Sequence, residues 1–183
     1  GLYGDHPDIL ESLVDAAASR PGVVGLDLAG GPAPAQRWQM LDYERPFRRA
    51  ADIGLGRTVH AGEGRPALEI AVAIERLGAQ RIGHGTTLLD DPRVTDLVLD
   101  HDVTIEACPT SNVHTGVIAL VADHPLAEWL RRGVRVCVCT DNTLLSDVDM
   151  PQELERVRGI AGIGDDELSR LVDHGHAGAF QRS

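Results

Sequence analysis

Five short runs rich in branched apolar residues punctuate the chain: Val23–Ala29, Arg57–His60, Arg81–His84, Val103–Ala107 and Val134–Thr140. They recur on the order of every 25–35 residues, the spacing that a strand followed by a helix requires. Runs this short and apolar predict strands buried on both faces, as in a parallel sheet. The fold class is therefore α/β, and a layered sheet and a barrel both fit the alternation.

The intervening segments carry helical periodicity. Ile9, Leu10, Leu13, Val14 and Ala17 mark a helix over about Asp8 to Ser19, and another is expected from Asp42 to Ile53. Ala67, Ile70, Ala71, Ile74 and Leu77 share a face, with Gly78 as the stop. Val94, Leu97 and Val98 follow the opening signal Asp91-Pro92. Leu126, Trp129 and Leu130 follow Pro125, suited to the first helical position, and Gly133 suits the exit. Past Met150 no further strand is expected; two helices, near 152–159 and 166–172, close the chain. No linker, low-complexity segment or strict repeat interrupts this order, so residues 1–183 read as one domain.

The ends of the runs carry the chemistry. The first ends in Asp27-Leu28-Ala29-Gly30-Gly31 and the second in His60-Ala61-Gly62-Glu63. The third ends in His84-Gly85 and the fifth in Thr140-Asp141-Asn142. Ionisable residues thus recur at the C-terminal ends of successive parallel strands, where barrel enzymes build their active sites. Singly, each has a plain structural explanation: a satisfied histidine, a turn at Asp141-Asn142, a solvated Glu63, a loop cap at Asp27. Four of five strand ends of this kind by accident is a poor explanation. His60 and Asp141 are nitrogen and oxygen donors that suit zinc, with Glu63 and His84 placed to move protons or orient a water. Two ligands do not hold a catalytic zinc, so this reading stops at an incomplete metallohydrolase barrel.

Charge narrows the partners. A formal net charge of −11 argues against nucleic acid and against an anionic membrane surface. No apolar run reaches bilayer length and no secretory leader is visible. Three cysteines, Cys108, Cys137 and Cys139, do not form a disulfide framework, which fits a cytoplasmic protein. Cys137 and Cys139 alternate on one run and read as core. The chain starts at Gly1 directly in folded-looking sequence, so the natural N-terminus is expected to lie elsewhere or to have been processed.

The motifs together resemble the adenosine deaminases of the amidohydrolase superfamily. The resemblance rests on Asp27-Leu28-Ala29-Gly30, Thr58-Val59-His60-Ala61-Gly62-Glu63 and Arg81-Ile82-Gly83-His84-Gly85. It continues through Cys108-Pro109-Thr110-Ser111-Asn112, Thr115-Gly116, His124-Pro125 and Thr140-Asp141, and so covers nearly the whole chain in order. It implies a (β/α)8 TIM-type barrel of which this chain holds strands 4–8 with their helices. It implies a zinc ion bound by His60 and Asp141. It implies Glu63 as the acid that protonates purine N1, and His84 as the group that orients and activates the attacking water. Gly30 is implied as the backbone donor to purine N3, with Asp27 and Asn142 completing the substrate-binding set. The substrate implied is adenosine or a related purine nucleoside or base, adenine and aminofutalosine included, and the products are ammonia and an inosine-type compound.

Two departures stand out. The family's His-x-His pair on its first strand is absent; His174-Gly175-His176 lies in a helical context near the C-terminus. Asn142 stands where many members carry an Asp that hydrogen-bonds purine N7, and an amide donates there in its ordinary state. Self-association, or another chain that supplies the first strands, would complete the barrel. The competing expectations are a non-catalytic half-barrel that serves as an interaction protein, and a hydrolase of the same superfamily with a different substrate. The cytidine and tRNA type of deaminase is excluded, because no Cys-x-x-Cys occurs.

Overall fold

The computed structural model describes residues 1–31 and 36–181. Its centre is a five-stranded, all-parallel sheet in strictly sequential order. The strands are β1 (Gly25–Leu28), β2 (Gly56–Ala61), β3 (Arg81–His84), β4 (Thr104–Ala107) and β5 (Arg135–Val138). Sequential order without reversal is the order of a β/α barrel; a doubly wound sheet reverses at a switch point. The helices are α1 (Pro7–Ala18), α2 (Glu44–Asp52), α3 (Leu68–Glu75), α4 (Pro92–Asp100), α5 (Pro109–His114), α6 (Leu126–Arg131), α7 (Thr143–Ser146), α8 (Met150–Arg158) and α9 (Asp165–Ala177).

Local sequence accounts for most of these boundaries. Asp91 caps α4 by accepting from the Arg93 N–H at 3.0 Å, with Pro92 opening the helix. Asp149 and Gln152 form a capping box at α8. Gly78 (φ +63) ends the stretch after α3 in a conformation that a side chain would strain. The helix expected over 42–53 is α2, Glu44–Asp52, and a 3-10 turn, Met40–Tyr43, leads into it. Pro125 sits one place earlier than expected, as the N-cap of α6. The fifth strand is shorter than Val134–Thr140: the Cys139 N–H still bonds the Ala107 carbonyl at 2.8 Å, but Asp141 at φ 56 turns the chain away. Helices α5 and α7 are additions to the expected order, and both lie in loops at the C-terminal ends of strands.

Strand alternation sorts the side chains. Leu26, Leu28, Val59, Ala61, Ile82, Ile105, Ala107, Val136 and Val138 face the helices and join one core with Tyr43, Phe47, Ile70 and Trp129. The opposite face carries Asp27, Thr58, His60, Arg81, Glu106 and Cys137, which meet across strands: Thr58 Oγ1 donates to Glu106 Oε2 at 2.6 Å, and Arg81 Nε lies 3.2 Å from Glu106 Oε1. This polar face is the one that a closed barrel turns inward. Both sheet edges are partly covered. Gly1–Tyr3 runs along β1, with the Ala29 N–H bonded to the Gly1 carbonyl and the Tyr3 N–H to the Ala29 carbonyl, each at 2.9 Å. At the other edge His174 of α9 sets Nδ1 3.2 Å from the Val136 N and 3.1 Å from its carbonyl oxygen. Among the described residues no helix is long and apolar enough to cross a membrane.

Candidate active site

His60, near the end of β2, lies on the polar face. Gly83 is its register partner on β3, and a Cβ there would stand 3.1 Å from His60 Nδ1, so the glycine leaves the ring its place. His60 Nδ1 is 3.3 Å from Asp27 Oδ1, which leaves Nε2 turned away from that carboxylate. Burial opposes charge on His60. The hydrogen bond and charge of Asp27, with the charges of Asp141 and Glu106, outweigh it and hold the pKa above the ordinary value.

Two residues later the chain turns at Gly62 (φ +66), where a Cβ would stand 2.7 Å from Ile70 Cδ1. The Thr86 hydroxyl donates to the Gly62 carbonyl at 2.8 Å, and the Thr87 hydroxyl, which donates to the Arg65 carbonyl at 2.6 Å, lies 3.2 Å from the same Gly62 oxygen. This clamp delivers Glu63 to the strand ends. Its Oε1 accepts from Thr115 Oγ1 at 3.2 Å and from Asn112 Nδ2 at 3.5 Å, and lies 3.7 Å from His84 Nδ1.

His84 closes β3 at φ 67 and is 2% exposed. Its ring meets that of His60 edge-on, with centroids 4.9 Å apart. Burial pushes its pKa down, with Glu63 pulling the other way, so the neutral imidazole is favoured. Asp141, just past β5 at φ 56, accepts a 2.6 Å hydrogen bond from Ser111 Oγ. Four described non-glycine residues have positive φ, and His84 and Asp141 are two of them. Such conformations cost about 1–3 kcal/mol each and concentrate at functional sites.

A run of buried hydrogen bonds behind His84 fixes which nitrogen carries its proton. The backbone N–H of Leu126 donates to His124 Nδ1 at 3.2 Å, and a backbone N–H can only donate. His124 therefore holds its proton on Nε2, which faces Asn112 Oδ1 at 3.3 Å. That leaves the Asn112 amide nitrogen as donor to His84 Nδ1 at 3.0 Å, with its second hydrogen toward Glu63. Neutral His84 then carries its own proton on Nε2. His124 cannot take up a charge to disturb this order, because burial, aided by neighbouring His84, depresses its pKa to about 3.

Helix α5, which presents Ser111 and Asn112, is anchored from below. Glu153 of α8, fully buried, accepts from the Thr110 N–H at 2.9 Å and from the Thr110 hydroxyl. The sequence pattern singled out 108–112 and His124-Pro125 as motifs without assigning them work; Ser111, Asn112, Thr115, His124 and Glu153 are the supporting residues that it missed. Pro109 at the first helical position was the available signal for α5.

Of the expected site residues, the fold brings together Asp27, His60, Glu63, His84 and Asp141. Asp27 stands against His60. Gly30 (φ +75) and Asn142 lie at the exposed margin, and Asn142 Oδ1 caps α7 by accepting from the Leu144 and Leu145 N–H groups at 3.1 and 3.0 Å. For zinc, His60 and Asp141 fit in kind but not in number. Among the described residues no three His, Cys, Asp or Glu side chains converge closely enough to hold a metal ion alone.

Comparison with known proteins agrees with this architecture. A profile of the adenosine deaminase family matches residues 3–183. The chain is 37% identical over 171 residues to the adenosine deaminase of Serratia proteamaculans, covering 93% of this chain and 51% of that protein. The crystal structure of an adenine deaminase from Arthrobacter aurescens superposes with a TM-score of 0.88 at 28% identity, over 98% of this chain and 54% of that one. An amidohydrolase from Burkholderia ambifaria, crystallised with bound zinc, superposes with a TM-score of 0.85 at 22% identity, over 97% of this chain and 50% of that one. The chain spans about half the length of the relatives that it matches, and it belongs to the adenosine deaminase family.

Proposed function

We propose that this chain carries the proton-handling half of a zinc-dependent purine deaminase, which replaces the 6-amino group of adenosine or a related purine nucleoside or base with oxygen. The observation that carries the reading is the convergence of His60, Glu63, His84 and Asp141 at the C-terminal ends of the strands, with Glu63 and His84 held by one amide. In balance, water adds its oxygen to C6, one of its protons ends on ring N1 and the other on the leaving amine, the C6–N bond breaks and ammonia leaves.

His60 and Asp141 are the residues that would hold zinc, with further ligands from strands outside this chain. Bound there, the metal would lower the pKa of water and so supply a nucleophile near neutral pH. The side chains of this chain do the rest. Asp27 orients the His60 ring and leaves Nε2 free as the donor atom. Glu63, held by Thr115 and Asn112, is placed to transfer the proton to N1. His84, protonated on Nε2, donates a hydrogen bond to the attacking oxygen and so orients it. Asn142 spends its carbonyl on the α7 cap, which leaves its NH2 group as the donor for purine N7. The Gly30 N–H is the donor proposed for N3. A cytoplasmic protein acting on a small purine fits the acidic charge.

Ammonia release from adenosine, adenine and aminofutalosine tests this, using the purified chain with zinc and the chain extended by its preceding strands. Activity in either form, abolished by Glu63→Gln, supports the reading. Inactivity of both forms on all three substrates would overturn it in favour of the non-catalytic half-barrel.

A further inference from the structure

All three cysteines of the chain meet at one place, although Cys108 and Cys139 lie in different strand–helix units. Cys137 is on β5, and its Sγ stands 3.9 Å from that of Cys139 just beyond the strand. Cys108 follows β4 directly, one residue beyond the paired Ala107 and Val138, and so takes the register position beside Cys139.

The sheet register ranks the two pairings that Cys139 can make. Ala107 pairs with Val138, and the Cys139 N–H continues the ladder to the Ala107 carbonyl, so Cys108 and Cys139 are the next cross-strand neighbours. Neighbouring strands run about 4.8 Å apart, inside the roughly 4.4–6.8 Å between Cα atoms that a disulfide bridges. Cys137 and Cys139 are two residues apart on one extended segment, about 6.5 Å or more, at the limit of that range. Cys108 and Cys137 are buried, whereas Cys139 is partly exposed and is the sulfur that a dissolved oxidant meets first.

We propose that Cys139 and Cys108 form a reversible thiol–disulfide site that ties the C-terminal end of β4 to that of β5, with peroxide as the oxidant. The Cys139 sulfur attacks one peroxide oxygen: an S–O bond forms, the O–O bond breaks and one water leaves. The Cys108 sulfur then attacks the oxidised Cys139: the S–S bond forms, the S–O bond breaks and a second water leaves. Two thiols lose two electrons and one peroxide becomes two waters. A reducing thiol returns both cysteines by exchange.

The crosslink joins two segments of the candidate site. Cys108 leads into α5 with Ser111 and Asn112, and Cys139 is followed closely by Asp141. Resting on the deaminase reading, oxidation is expected to lower turnover at least tenfold, with recovery on reduction.

The site itself is tested without turnover. The purified chain is treated with a small excess of hydrogen peroxide, alkylated, digested and analysed by mass spectrometry, and its free thiols are counted under denaturing conditions. The expected result is a fall from three free thiols to one, a linked Cys108–Cys139 peptide within one chain, and full reversal by dithiothreitol. Cys108→Ser should abolish the crosslink, and Cys137→Ser should keep it. Three thiols left free, a Cys137–Cys139 link, or links only between chains would overturn the proposal. The wild-type result alone decides, so a variant that fails to fold does not obscure it, and an inactive deaminase leaves this readout intact.

Discussion

The buried amide of Asn112 donates to Nδ1 of the buried His84 imidazole over 3.0 Å, and this bond decides which nitrogen of His84 carries the proton. The direction of the bond is set three residues away in the relay, where the Leu126 N–H can only donate to His124. A fixed backbone group thus dictates the tautomer of a side chain at the strand ends.

Replacing Asn112 by Asp tests that dictation. A carboxylate only accepts, so in Asn112→Asp the His84 proton is expected to move to Nδ1. The 15N chemical shifts of the two His84 ring nitrogens should interchange relative to wild type. In Asn112→Ala the ring nitrogens of His84 and His124 lose their partner, and a stability loss of about 2–3 kcal/mol is expected in urea denaturation.

His124 should make the fold sensitive to mild acid. Its folded pKa, about 3, lies below its ordinary 6.5. Between those values the unfolded chain takes up a proton that the folded chain refuses, so stability is full above about pH 6.5 and falls as pH drops toward 3. The depressed pKa of His84 adds to the fall in the same direction. Unfolding free energies from urea denaturation at pH 7.5 and pH 5 should differ, through His124, by about 2 kcal/mol in wild type. His124→Gln should lower stability at pH 7.5 and show a smaller difference between the two pH values.

Glu63→Gln keeps the shape of the side chain and removes the proton transfer proposed for it. A loss of about 10²–10⁴-fold in ammonia release is expected in the assembled enzyme, with the thermal midpoint close to that of wild type. An unchanged rate would remove Glu63 from the mechanism.

Glu153 lies outside the site and holds α5 in place by its two contacts with Thr110. Glu153→Ala strands the Thr110 N–H in a buried position and is expected to cost about 2–3 kcal/mol. Loss of α5 order should also raise amide hydrogen exchange at 110–114 more than in β1 or β2. Uniform exchange across the chain would show that Glu153 supports the fold in general and has no special hold on α5.

Much of this protein is visible in one dimension. Each strand was legible from its short run of branched apolar residues, although only one face joins the core and the other carries Asp27, Thr58, His60, Arg81 and Glu106. The helices were legible from their period and from Pro, Asp and Gly at their ends. Helices α5 and α7 were not, because six- and four-residue helices hold too little periodicity to register and depend on tertiary anchors such as Glu153.

By itself, the sequence determined the α/β alternation, the recurrence of ionisable residues at one end of the strands, and the motifs that carry the family. Those are properties of spacing, which the chain holds whether folded or not. Only the tertiary structure decided that Asp27 stands against His60, that Asn112 serves both His84 and Glu63, and that three cysteines share one place. Each of these joins residues on different strands or loops. Such contacts follow from the register of neighbouring strands and from backbone turns such as those at His84 and Asp141, which local preference disfavours and the packed structure imposes.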